Sequence, residues 1–138
     1  MKRLFSLFTL MIFLILMTGV LTAAAPLPVT TFTLIQGLPS TMNVGETYTV
    51  IVQVESDQEF ISAQALPSFQ FPGKGVVAVQ GGDRAGSGTS ATLVVTFKAK
   101  SSTVNFPSGV APVFVVVGVR YAGGFVAVQE YAFNVTVP

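Results

Sequence analysis

The chain has 138 residues, 51% hydrophobic and 9% charged, with 7 Lys+Arg, 6 Asp+Glu and no His, Cys or Trp. Without imidazole or thiol it holds no Ser-His-Asp triad, no Cys-His dyad, no thiolate or imidazole zinc site, no iron–sulfur cluster and no His-ligated haem, so the composition predicts a non-enzyme that needs no cofactor. Its near-neutral charge also speaks against nucleic acid or an anionic membrane surface as a partner.

In chain order, Lys2 and Arg3 form a charged n-region, residues 4–21 an apolar stretch, and Thr22-Ala23-Ala24-Ala25 the small residues accepted by signal peptidase. This predicts a signal peptide over residues 1–25, with its apolar part helical. Cleavage after Ala24 is favoured over cleavage after Ala25, which would place Pro26 directly behind the scissile bond. The alternative is an uncleaved membrane anchor, because residues 4–21 approach the ~20 apolar residues that span a bilayer. Either way the remainder is expected outside the cytoplasm, as an extracellular, cell-surface or periplasmic domain. Removing Lys2 and Arg3 leaves five basic and six acidic side chains, a formal charge of −1. Residues 26–138 are enough for one domain that buries roughly two thirds of its unfolded surface without disulfides.

Alternation with a period of two runs through this domain, the signature of half-buried strands. Over residues 46–55, Tyr48, Val50, Val52 and Val54 share one face, and Thr47, Thr49, Gln53 and Glu55 the other. Over residues 91–100, Leu93, Val95 and Phe97 face inward and Thr92, Thr96, Lys98 and Lys100 outward. Residues 112–121 and 125–137 form a hairpin about Ala122-Gly123-Gly124, with Phe125, Ala127, Tyr131, Phe133, Val135 and Val137 on one face. Shorter strands are expected at 29–35, 60–65, 68–71 and 76–80, punctuated by Gly37, Pro39, Pro67, Pro72, Gly73 and Gly75. Residues 81–90, rich in Gly, read as a mobile surface loop. No helical period follows the signal segment, so the expectation is an all-β, two-sheet sandwich of seven or eight strands, with a small barrel as the competing arrangement.

Three segments resemble prokaryotic exported immunoglobulin-like domains: Asn43-Val44-Gly45-Glu46-Thr47-Tyr48-Thr49-Val50, Phe69-Gln70-Phe71-Pro72-Gly73-Lys74-Gly75-Val76 and Val119-Arg120-Tyr121-Ala122-Gly123-Gly124. The resemblance implies an immunoglobulin-like sandwich in which the first segment opens the second strand, the second follows the third strand, and the last belongs to a closing hairpin. It also implies a spacer, adhesive or assembly role. The chain departs from antibody domains in lacking their paired Cys and core Trp.

Glu55, Asp57 and Glu59 alternate at a strand end and could converge on calcium, which prefers oxygen ligands; a solvated acidic turn is the other reading. Asn134-Val135-Thr136 is a glycosylation sequon with Asn134 on the outward face. Asp83-Arg84 could meet a ligand or simply solubilise a loop, and Ser87 and Ser90 have no His to activate them. Phe69, Phe71, Phe106 and Phe114 either pack the core or line a pocket for a small apolar ligand. The face pairs Val126 with Val128 and Phe114 with Val116 leave apolar surface for another chain. Residues 26–35 either form the domain's own first strand or add to a neighbour's sheet edge. The functional expectation is a structural or binding module with a protein partner or self-assembly. The alternatives are a filament or pilus-like subunit assembling by strand addition, and an apolar-ligand carrier.

Overall fold

A computed structural model describes residues 24–138. The n-region, the apolar stretch and the start of the cleavage segment expected in residues 1–25 lie outside the described residues. Seven strands follow in order: β1 (Thr30–Gln36), β2 (Thr47–Phe69), β3 (Val76–Ala78), β4 (Asp83–Ala85), β5 (Gly88–Ala99), β6 (Ala111–Tyr121) and β7 (Val126–Val135), with a 3₁₀ turn at Ala122–Gly124 inside the last hairpin. No helix among the described residues is long and apolar enough to cross a membrane.

β2 organises the domain because it belongs to two sheets. Its first part, residues 47–55, pairs antiparallel with β5 on one side and β1 on the other (Val50↔Val95, Val52↔Leu34). Its second part, residues 60–69, pairs with β6 and β4 (Ala65↔Val117, Ala63↔Ala85). The register shifts between Glu55 and Phe60 and again between Phe60 and Ser62, and such irregularities let a strand turn the corner between sheets. The seven strands are one hydrogen-bonded sheet that β2 carries from one layer into the other, so that the first sheet of the sandwich runs β1, β2, β5, β3 and the second β4, β2, β6, β7. Taken in chain order as A, B and C (the two parts of β2), D, E, F and G, the strands β1, β2, β3, β5, β6 and β7 reproduce the ABED and CFG sheets of an immunoglobulin-like sandwich. β4 is an extra strand on the free edge of C.

The inner faces meet in one core. Val50, Val52, Val54, Leu93, Val95 and Phe97 come from the first sheet, and Ala63, Ala65, Val113, Val115, Val117 and Val119 from the second; all are buried. Phe69 of the second sheet meets Phe97 of the first edge-on, with ring centroids 6.0 Å apart, a contact contributing ~1 kcal/mol beyond area burial. Residues 40–42 cross to the second sheet, where Met42 N–H donates to Thr136 O (3.0 Å) and Thr136 N–H to Ser40 O (2.8 Å). The segments carrying the family resemblance include two tight turns: Glu46 N–H donates to Asn43 O and Lys74 N–H to Phe71 O. The third turn residues, Gly45 (φ 92°) and Gly73 (φ 77°), hold the positive φ such turns demand.

Two expectations change. The strands expected at 46–55, 60–65 and 68–71 merge into one, Thr47–Phe69, because nothing between Thr47 and Leu66 breaks an extended chain. Pro67 sits beyond the three-residue β4, where the side of β2 away from β6 has no strand to receive an N–H. Residues 81–90 are not a loop: they hold β4 and the start of β5. The Asp83 carboxylate replaces ladder acceptors there, taking N–H bonds from Arg84 and from Val94 of β5, each 2.8 Å.

Candidate interaction face

Alternation gives each sheet an outer face, and the two differ. The outer face of the first sheet mixes Thr47, Thr49, Gln53, Thr92, Thr96 and Lys98 with half-buried Ile51 opposite Val94, which is 39% exposed. Gln53 binds its cross-strand neighbours there, donating to Ser90 Oγ (2.8 Å) and accepting from Thr92 Oγ1 (2.6 Å). The outer face of the second sheet sets a cluster of apolar side chains among Ser62, Gln64, Arg120 and Glu130. Leu66 is 45% exposed, Val126 50% and Val128 61%, with half-buried Val116 beside Leu66 and half-buried Phe114 one row further along β6. Register aligns these residues in rows across the strands: Leu66↔Val116↔Glu130, Gln64↔Gly118↔Val128 and Ser62↔Arg120↔Val126.

Those last two rows enclose a cup of about 230 Å³, walled by Ser62, Gln64, Arg84, Arg120 and Val126 over Gly118 and the Val119 backbone. Arg84 comes from β4, whose register sets it beside Gln64, and Arg120 from the end of β6. Both arginines are exposed. The carboxylate on this face, Glu130, stands one row beyond Gly118 and is not among the residues that wall the cup. Its donors can fork onto an oxygen anion, and its volume is below the ~300–1,000 Å³ of ordinary small-molecule sites.

The structure separates the residues expected to bind calcium. Glu55, Asp57 and Glu59 are exposed along continuous β2, at the corner between sheets, and no group of three or more acidic side chains among the described residues is placed to hold a metal ion. The corner is neither a strand end nor a turn. Asp57 Oδ1 accepts the Val29 N–H (2.8 Å), while its own N–H donates to Val29 O (3.2 Å). The Tyr121 hydroxyl closes the same corner, 2.8 Å from Ser56 Oγ and 2.6 Å from Thr30 Oγ1. Asn134 is exposed on the outer face of β7, opposite Pro112.

Nor do the four phenylalanines share a pocket. Phe69 packs on Phe97, Phe71 lies 4.6 Å from Phe106 between ring centroids, and Phe114 is on the outer face. Residues 30–36 pair with the domain's own β2. Asp83 is a structural acceptor, and Arg84 joins the cup. Elsewhere, the Asn43 backbone N–H, aided by its side-chain amide, holds the Glu46 carboxyl below the usual range, and burial pushes the Tyr131 phenol up. Gly118 and Arg120 were not singled out as site residues from the sequence; the available signal was a glycine interrupting a valine run with no turn.

No family model and no curated protein matches the chain. Among solved structures, it is similar to part of Escherichia coli alpha-2-macroglobulin in its native conformation, at 15% identity and a TM-score of 0.42 over 83% of this chain, spanning only 7% of that protein. It is also similar to murine CRIg (9% identity, TM-score 0.37, 79% of this chain and 98% of that one). A third similarity is to AvmM, which catalyses macrocyclization in alchivemycin A biosynthesis (14% identity, TM-score 0.38, 79% and 88%). At these scores the similarities carry no argument about this chain, whose fold assignment rests on its own strand pairing.

Proposed function

We propose that this protein is an exported, non-catalytic module that binds another protein through the outer face of its second sheet. The observation that carries the reading is the cluster on that face: Leu66, Val126 and Val128 stand exposed on three successive rows, beside two arginines. Contiguous apolar surface with a charged border is the character of a protein–protein interface. Two arginines against one glutamate select a partner segment that is apolar and acidic. Signal-peptide cleavage at residues 1–25 delivers the domain to that partner outside the cytoplasm.

The test is a Leu66→Lys/Val128→Lys double variant. Both positions are exposed, so the variant keeps its circular dichroism spectrum. In native extracts of expressing cells the wild type migrates in a complex larger than its own mass and the variant as the free chain. Equal mobility of the two would overturn the reading. Intact mass of the exported chain is expected to begin at Ala25 or Pro26, and a mass that retains residues 1–25 would overturn cleavage.

A further inference from the structure

We infer that the cup over Gly118 is a carboxylate-binding subsite, which takes an acidic side chain of the partner segment. The inference rests on the proposed binding face and adds the chemistry that anchors the partner there. Its first support is that the fold does not explain Gly118. The residue lies within the ten-pair ladder between β6 and β7, opposite Val128, and is also paired with Gln64. Its φ is not among the positive values. A Cβ built on it meets nothing within 4 Å. A Cβ meets no obstacle there, and a residue that has one would favour the strand, since glycine inside a strand forgoes side-chain packing and backbone entropy. A glycine inside a strand often marks a bulge, a tight bend or a close approach by a ligand, and the β6–β7 ladder runs through Gly118 with no register shift.

The second support is the cup's wall. Arg84 and Arg120 reach it from different strands, and Ser62 and Gln64 add a hydroxyl and an amide that can donate. No acidic side chain lines it. Paired guanidinium forks match the two oxygens of a carboxylate. Val126 in the wall and exposed Val128 in the adjoining row suit the apolar neighbours of that acid along an extended segment. A bound carboxylate therefore occupies the volume that any Cβ at residue 118 would enter.

The experiment titrates isotope-labelled protein with acetyl-Leu-Glu-Val-amide, acetyl-Leu-Gln-Val-amide and inorganic phosphate, read from the amide shifts of Gly118, Arg84 and Arg120. The Glu peptide is expected to shift these resonances saturably and to bind at least tenfold more tightly than the Gln peptide. Gly118→Thr and Arg120→Gln should each lose that preference, with Gly118→Thr melting no lower than wild type. Equal binding of the two peptides, no shift with either, or undiminished binding by Gly118→Thr would overturn the subsite. So would phosphate binding as tight as the Glu peptide. If Leu66→Lys/Val128→Lys dissolves the native complex while Gly118→Thr and Arg120→Gln leave it intact, the cup fails and the binding face stands. If the Lys variant leaves the complex intact, the face itself fails.

Discussion

Thr103 is the buried polar side chain of the described core, and removing only its hydroxyl should cost more than a typical surface change. It lies in the connection from β5 to β6 and fastens the end of the chain after β7. Its Oγ1 donates to Gly109 O (2.7 Å) and accepts the Val137 N–H (3.0 Å), while its own N–H donates to Val137 O (2.9 Å). Thr103→Val keeps the shape and the backbone bond but strands the buried Val137 N–H and deprives the half-buried Gly109 carbonyl of its donor. Leaving a buried group unpaired costs about 1–3 kcal/mol, and a carbonyl that water can reach costs less. The expected loss is therefore about 2–4 kcal/mol, roughly 8–16 °C in Tm for a domain of this size. Urea unfolding measures it, with an unchanged slope showing that the unfolded state is not the cause. Thr103→Ser, which keeps the hydroxyl and loses the methyl beside Gly75, should cost only about 1 kcal/mol. A Val variant as stable as wild type, or a Ser variant as damaged as the Val, would refute the hydrogen-bond reasoning.

Tyr121→Phe removes the hydroxyl that joins Ser56 to Thr30; it should cost about 1 kcal/mol and speed hydrogen exchange in β1, and unchanged exchange there would contradict the corner's role. Asp83→Ala should cost about 1–2 kcal/mol and selectively deprotect the Val94 amide, which donates to this carboxylate; native-state exchange decides it. Glu46 should titrate below an ordinary glutamate, because Asn43 donates to its ionised form. Its folded value is depressed, so its contribution is complete above the unfolded value and lost as pH falls through the folded one. Carboxylate shifts followed by NMR should show Asn43→Ala moving the titration only part of the way back, since the backbone N–H, the larger cause, remains.

The strands that alternate cleanly were legible in the sequence because a period of two needs only local information. Val50, Val52 and Val54, or Leu93, Val95 and Phe97, could not all be inward in a helix. The continuity of β2 was not legible. Glu55 to Glu59 look like a solvated turn, and only pairing with β5 before the corner and β6 after it reveals one strand passing between sheets. β4 escaped for a similar reason: its Gly-rich surroundings signal a loop, while the Asp83 bond to Val94 that orders it spans eleven residues. The cup was invisible because its walls come from β2, β4, β6 and β7, and their meeting depends on register. The apolar pairs Phe114 with Val116 and Val126 with Val128 were legible as surplus hydrophobicity, but their assembly into one face needed the sheet order.

The most direct measurement places a photo-crosslinking residue at Val128 or, separately, at Lys98 on the outer face of the first sheet, and irradiates expressing cells. A discrete adduct of higher mass is expected from position 128 and none from position 98. No adduct from 128, or an equal one from both faces, would contradict the proposed binding face.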